Sequence, residues 1–132
     1  MRCRSISDPG RRFEALVGED LTAQKLLFIC SRNRIRSLTA EKLMKGAPGY
    51  RVASAGTQPG ARVVITGGLI RWADLIFCME KSHLHKIRQR FPEELNGRTV
   101  ITLHIPDEYQ FMAEDLIDEL KAKLAGHITA PD

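Results

Sequence analysis

The sequence predicts an α/β fold, a four-stranded parallel sheet flanked by helices on both faces. Two observations carry that expectation. Strand-like runs recur at 25–29, 50–54, 74–79 and 98–105, and stretches with helical periodicity lie between and after them. Strands alternating with helices are the pattern of a parallel sheet covered on both sides. At 132 residues and 43% hydrophobic content, the chain is long enough for one domain with a real core.

Taken in order, Lys25-Leu26-Leu27-Phe28-Ile29 is an apolar run suited to a strand buried on both faces. From Ser37, the residues Ala40, Leu43, Met44 and Ala47 fall at i, i+3, i+4 and i+7, one face of a helix that Pro48-Gly49 should stop. Tyr50 to Ser54 alternates as a short strand before the turn-like Ala55-Gly56-Thr57-Gln58-Pro59-Gly60. A weaker helical stretch holds Leu69, Ile70 and Trp72, and Asp74 to Met79 reads as another buried strand. Ser82 is placed to cap a helix carrying Leu84, Ile87 and Phe91 on one face. After Asn96-Gly97, the run Arg98 to Ile105 is β-rich, and Met112, Leu116, Leu120 and Leu124 form the stripe of a last helix. The expected strand order is the flavodoxin-like 2-1-3-4.

The flanks and the composition narrow the class. Residues 1–23 are polar and turn-prone around Asp8-Pro9-Gly10 and are expected to form a flexible arm, with 24–132 as the single α/β domain. No run approaches the ~18–20 apolar residues of a membrane span, and no apolar segment follows the basic Met1-Arg2-Cys3-Arg4 as a secretory signal requires. Three irregularly spaced cysteines, Cys3, Cys30 and Cys78, argue for a reducing compartment, and the expected location is cytoplasmic. The net charge of +4 is a mild excess that mostly describes a solvated surface. An aromatic content of 6% offers little for base stacking and argues against nucleic acid. His83 and His85 sit at i and i+2 on a helix, point apart, and read as surface residues.

In parallel sheets of this kind, ligands bind beyond the carboxyl ends of the strands. That rule selects the loops after Ile29 and Ile105. The first reads Cys30-Ser31-Arg32-Asn33-Arg34-Ile35-Arg36-Ser37 and runs into a helix. A Cys followed six positions later by Arg is weak as a spacing and stronger as a location. Backbone N–H groups at a strand-to-helix turn converge on an anion. Arg36 adds a planar fork for two phosphate oxygens, and the same positive field favours a thiolate at Cys30. Ser37 is placed to donate to that thiolate. Alone, Cys30 would be read as a buried structural thiol ending a strand; with three arginines and a helix start beside it, the nucleophile reading is preferred. Arg32 and Arg34 are either solvent-exposed or attract a doubly charged substrate. The second loop carries Pro106-Asp107-Glu108-Tyr109. Expelling an alkoxide needs a general acid; Asp107 is the candidate, Glu108 the reserve, and an ordinary Pro-Asp turn the alternative. Tyr109 lines the entrance or packs.

These motifs together resemble the low-molecular-weight protein tyrosine phosphatases. Leu27-Phe28-Ile29-Cys30, Asn33, Arg36-Ser37 and Ala40-Glu41 match the family signature. Ser54-Ala55-Gly56-Thr57, Asp74 to Glu80, and Asp107 with Tyr109 match later segments, so the resemblance spans roughly residues 25–125. It implies hydrolysis of phosphate monoesters of the phosphotyrosine kind, with Cys30 forming a cysteinyl-phosphate and Asp107 serving as acid, then base. Arg36 and a phosphate-binding set of Ser31, Arg32, Asn33, Arg34, Ile35 and Ser37 would hold the phosphoryl group, Asn33 also keeping the loop's shape. It implies no cofactor and no metal. The expected partner is a phosphorylated protein or small phosphate monoester, acted on by a monomer or weak dimer with no membrane association. The chain departs from the family in having Arg32 where Gly is usual, Ile35 where a second Cys is usual, and Glu108 where Pro is usual. It is also shorter between Gly56 and Asp74. Two other readings are a non-catalytic phosphate- or phosphopeptide-binding module and a thiol-dependent arsenate reductase. The latter needs relay cysteines that Cys78, inside a strand, and Cys3 are poorly placed to supply.

Overall fold

Leu26, Leu27, Phe28 and Ile29 all have 0% exposure, as expected of a strand covered on both faces. The computed structural model describes residues 23–128; the expected arm, apart from its last residue, lies outside them. The described elements are β1 (Gln24–Cys30), α1 (Arg36–Met44), β2 (Tyr50–Gly56), α2 (Gly67–Trp72), β3 (Leu75–Cys78), α3 (Lys81–Arg90), α4 (Pro92–Leu95), β4 (Thr99–Thr102) and α5 (Glu114–Leu124). The strands form one parallel sheet of order β2-β1-β3-β4. Its registers place Cys30 beside Gly56, Ile29 beside Cys78 and Cys78 beside Thr102.

Strand alternation divides the core into two layers. Leu26, Phe28, Cys30 and Phe77 face α1 and α5, where they meet Met44, Leu116, Leu120 and Leu124. Leu27, Ile29, Ile76 and Cys78 face the other way, onto Ile70 of α2 and Ile87 of α3. The split follows from crossover handedness. The step from β1 to β2 runs opposite to the later steps, so right-handed connections place α1 on one face and α2 and α3 on the other. Each fully buried leucine on α5 contributes about 1.5–3 kcal/mol of transfer free energy.

Several element ends differ from the sequence expectation, each for a local reason. Helix α1 stops at Met44 because Lys45 is extended (ψ 126°) and Gly46 takes φ +85°, a left-handed position that glycine adopts without penalty. Ala47 is therefore outside the helix. Strand β2 does not alternate: its last three residues, Ser54, Ala55 and Gly56, are all buried. There segment 63–65 covers the edge, with Gly56 N–H donating to Val63 O (2.8 Å) and Ile65 N–H to Gly56 O (2.9 Å). Strand β4 ends at Thr102 because His104 has φ +58°. Leu103 and Ile105 nevertheless donate to the carbonyls of Cys78 and Met79 at 2.9 and 2.8 Å, which carries the chain to Asp107 along the sheet edge. The N-cap of α3 is Glu80 rather than Ser82. Met112 lies before α5, is exposed, and gives its N–H to Thr39 Oγ1 at 3.1 Å.

Candidate active site

The turn after β1 is shaped by where its carbonyls go. Thr57 N–H donates to Cys30 O, Gln58 N–H to Ser31 O and Arg62 N–H to Arg32 O, each at 3.0 Å, while Arg62 Nε donates to Asn33 O at 3.1 Å. In a trans peptide, the carbonyl of one residue and the N–H of the next point in opposite directions. With four consecutive carbonyls turned outward to segment 57–62, the amides of Ser31, Arg32, Asn33 and Arg34 turn inward. Asn33 N–H donates to Cys30 Sγ at 3.2 Å, in keeping with that orientation. Asn33 takes φ +58° at the tightest point, a conformation Asn tolerates better than most residues. Gly56 lets the turn sit this close: a Cβ there would lie 2.5 Å from Ser31 O.

Cys30 lies at the base of the turn, 3% exposed, with Ser37 Oγ 2.9 Å from its sulfur. Ser37 Oγ also accepts from Asn33 Nδ2 at 2.8 Å, which leaves its hydroxyl hydrogen available to a thiolate at Cys30. A thiolate there therefore receives two donors, one hydroxyl and one amide. The Asn33 and Ser37 side chains stand behind the cleft and hold its sulfur and backbone, the loop-shaping and thiolate-supporting places the sequence also suggested for them. Burial explains why: both are at 0% exposure, and neither reaches the cleft wall.

Arg36 opens α1 and is 2% exposed. Its Nη1 donates to the Glu80 carboxylate and, at 2.8 Å, to Ile105 O. The Nε edge faces Asp107, whose Oδ1 is 3.9 Å away. One side of the guanidinium is thus anchored to the ends of β3 and β4, and the other faces the cleft. The cleft holds about 120 Å³ and is walled by Cys30, Ser31, Arg32, Arg34, Ile35 and Arg36, with Asp107 completing the wall. Asp107 is 65% exposed at its side chain, placed to meet a group entering from solvent.

Sequence reasoning missed the loop after β3, which the same edge-of-sheet rule would have selected. Glu80 caps α3 in a capping box: its side chain accepts from the His83 amide, and His83 Nδ1 accepts from Glu80 N–H at 3.0 Å. His83 Nε2 then lies 2.9 Å from Ser31 Oγ. Burial, then the Arg36 charge, lowers the His83 pKa to about 4, Glu80 opposing in part. The ring is neutral at pH 7, and with Nδ1 accepting, the proton sits on Nε2 and goes to Ser31. The Ser31 hydroxyl hydrogen is left free to point into the cleft. His83 is therefore not the surface residue expected; it is 1% exposed. His85 is exposed as expected. The Glu-x-x-His spacing directly after a strand was the available signal.

Two further expectations are settled by position. Tyr109 does not line the cleft; it packs against the α1–α5 core layer, because the chain turns back toward α5 after Asp107. Cys78 is on the opposite sheet face from Cys30, at 0% exposure. Burial pushes its thiol up to about 12, so it is an inert core residue, and the arsenate-reductase relay has no partner among the described residues. Among those residues, no helix is long and apolar enough to cross a membrane, and no group of three or more His, Cys, Asp or Glu side chains is placed to hold a metal ion.

A parallel sheet with a Cys-x5-Arg turn at its switch point, faced by an aspartate, defines an α/β protein with a cleft at the carboxyl edge of its sheet. No family model and no curated protein sequence matches the chain. Solved structures do. The tyrosine phosphatase Wzb from Escherichia coli K30, in complex with phosphate, is 26% identical with a TM-score of 0.64, over 79% of this chain and 95% of its own. A mutant YwlE from Bacillus subtilis is 23% identical with a TM-score of 0.61, over 77% and 94%. SP-PTP, the low molecular weight protein tyrosine phosphatase from Streptococcus pyogenes, is 14% identical with a TM-score of 0.66, over 80% and 94%. The chain shares the fold of the low-molecular-weight protein tyrosine phosphatases and is similar to members of that family.

Proposed function

We propose that this protein hydrolyses phosphate monoesters, phosphotyrosine-like aryl phosphates among them, through a cysteinyl-phosphate on Cys30. The observation that carries the reading is the sulfur at the cleft base, held by Ser37 Oγ at 2.9 Å and the Asn33 amide at 3.2 Å, with Arg36 and Asp107 in the same cleft. The phosphoryl oxygens would be met by the inward amides, the Ser31 hydroxyl and the free edge of Arg36. Such groups, fixed before the reaction, stabilise charge as it develops and need no reorganisation. The Cys30 thiolate attacks phosphorus: the S–P bond forms, the P–O bond to the leaving group breaks, and Asp107 gives that oxygen its proton. Asp107, now a carboxylate, takes a proton from water as it attacks phosphorus; the S–P bond breaks and inorganic phosphate leaves. Glu80 and the Ile105 carbonyl keep Arg36 in place throughout.

Turnover of 4-nitrophenyl phosphate tests the reading. Cys30→Ser should abolish it. Asp107→Asn should lower kcat on a poorer leaving group by roughly 10²–10⁴-fold, the range for general acid catalysis, with phosphate still bound. An intact protein that binds phosphate yet hydrolyses no aryl phosphate from about pH 5 to 8 would establish the binding module instead.

A further inference from the structure

The cleft takes a phosphoryl group and little more. At about 120 Å³, it is well below the roughly 300–1,000 Å³ of sites that engulf a whole ligand. The remainder of a substrate must lie on the rim, so the rim decides what is selected. Among the described residues no aromatic side chain lines it, and Tyr109 packs against the core layer instead. It carries Arg32 and Arg34, both exposed, whose side chains make no hydrogen bond or ion pair among the described residues. Arg62 stands beside them, held to the Arg32 and Asn33 carbonyls and 3.9 Å from Glu41.

The phosphoryl group does not require these rim charges, since Arg36 and the inward amides already meet it. Nor are they distributed evenly. Segment 57–62 follows β2 on one side of the turn, and Asp107 follows β4 on the other. A second anion would be attracted on the arginine side, since Asp107, protonated as the general acid, brings no cation to the other. Resting on the phosphatase reading, we propose that the preferred substrate is a phosphate monoester whose leaving group carries a second anionic group, a carboxylate or phosphate, received by Arg32 and Arg34.

The test compares 4-carboxyphenyl phosphate with its neutral amide, 4-carbamoylphenyl phosphate, on the full chain and on the Arg32→Gln/Arg34→Gln double variant. The double variant corrects for any intrinsic difference between the two leaving groups. Exposed ion pairs of about 0.2–1 kcal/mol each predict that the carboxylate-to-amide ratio of kcat/KM falls roughly 2- to 30-fold in the variant. In the wild type, that preference should shrink as salt is raised. The same comparison on a phosphotyrosine peptide with Glu or Gln flanks tells whether the acid is read on a peptide or on a small molecule. Hydrolysis of both members of each pair with unchanged ratios overturns the inference and leaves the phosphatase reading intact. If nothing is hydrolysed, that reading fails, and calorimetry with the matching phosphonates decides: tighter binding of the carboxylate by the wild type alone supports the inference, and equal affinities overturn it.

Discussion

At the scale of single residues, the site is a set of short, directional hydrogen bonds around one sulfur. Asn33 Nδ2 donates to Ser37 Oγ, and the Ser37 hydroxyl in turn hydrogen-bonds the Cys30 sulfur. His83 behaves similarly one layer out, fixing Ser31 from behind. Because the His83 pKa falls from 6.5 to about 4 on folding, the unfolded chain binds more protons between those values. Stability should therefore rise with pH across that window and, from this group, level off above it. The expected change is about 1–2 kcal/mol after allowance for solvent screening. Urea midpoints measured at pH ~4.5 and ~7.5 for wild type and His83→Gln should show a weaker pH dependence in the variant; equal dependence would contradict the buried-neutral assignment. Cys30, Arg36 and Asp107 were legible in the sequence because each stands in a loop that a sheet rule selects. His83 was not, because its role depends on a capping box and on burial, neither of which its i, i+2 spacing to His85 reveals.

At the scale of elements, the turn after β1 is held from outside by segment 57–62, and that arrangement needs Gly56. A Cβ there would sit 2.5 Å from Ser31 O and 2.6 Å from the Ala61 Cβ, both on backbone-bound groups with little room to move. Gly56→Ala should cost about 1–3 kcal/mol, the usual range for overpacking, and weaken phosphate binding as Ser31 shifts. A denaturant midpoint and a phosphate titration measure the two effects, and a variant unchanged in both would refute the close-approach argument. The strands were legible as apolar runs, but their ends were not. Left-handed residues such as His104 and Met112, both at φ 58°, are not glycines, so nothing in their residue type announced the turn. Tyr109 was ambiguous for a related reason: the direction of the chain after Asp107 decides whether it faces cleft or core.

At the scale of the whole molecule, the parallel sheet brings three separate segments, after β1, β3 and β4, to one edge. Asp107 lies 77 positions after Cys30 in sequence (107 minus 30), yet it reaches Arg36 because Leu103 and Ile105 continue the pairing of β4 with the chain of β3. The same alternation that aims Cys30 at one face sends Cys78 to the other. Cys78→Ala should therefore keep turnover within a few-fold while losing roughly 1 kcal/mol of stability as a small core truncation. Native Cys78 should resist iodoacetamide until the chain unfolds; turnover abolished by this substitution would point to a thiol relay after all.

The covalent intermediate is the central claim, and it can be seen directly. Asp107→Asn protein mixed with an aryl phosphate of good leaving group should accumulate phosphoenzyme, since Asp107 is also the base for its hydrolysis. Rapid acid quench, digestion and mass spectrometry should find the added phosphoryl group on the peptide containing Cys30 and on no other. Steady release of the phenol with Cys30 unmodified at every quench time would contradict the account.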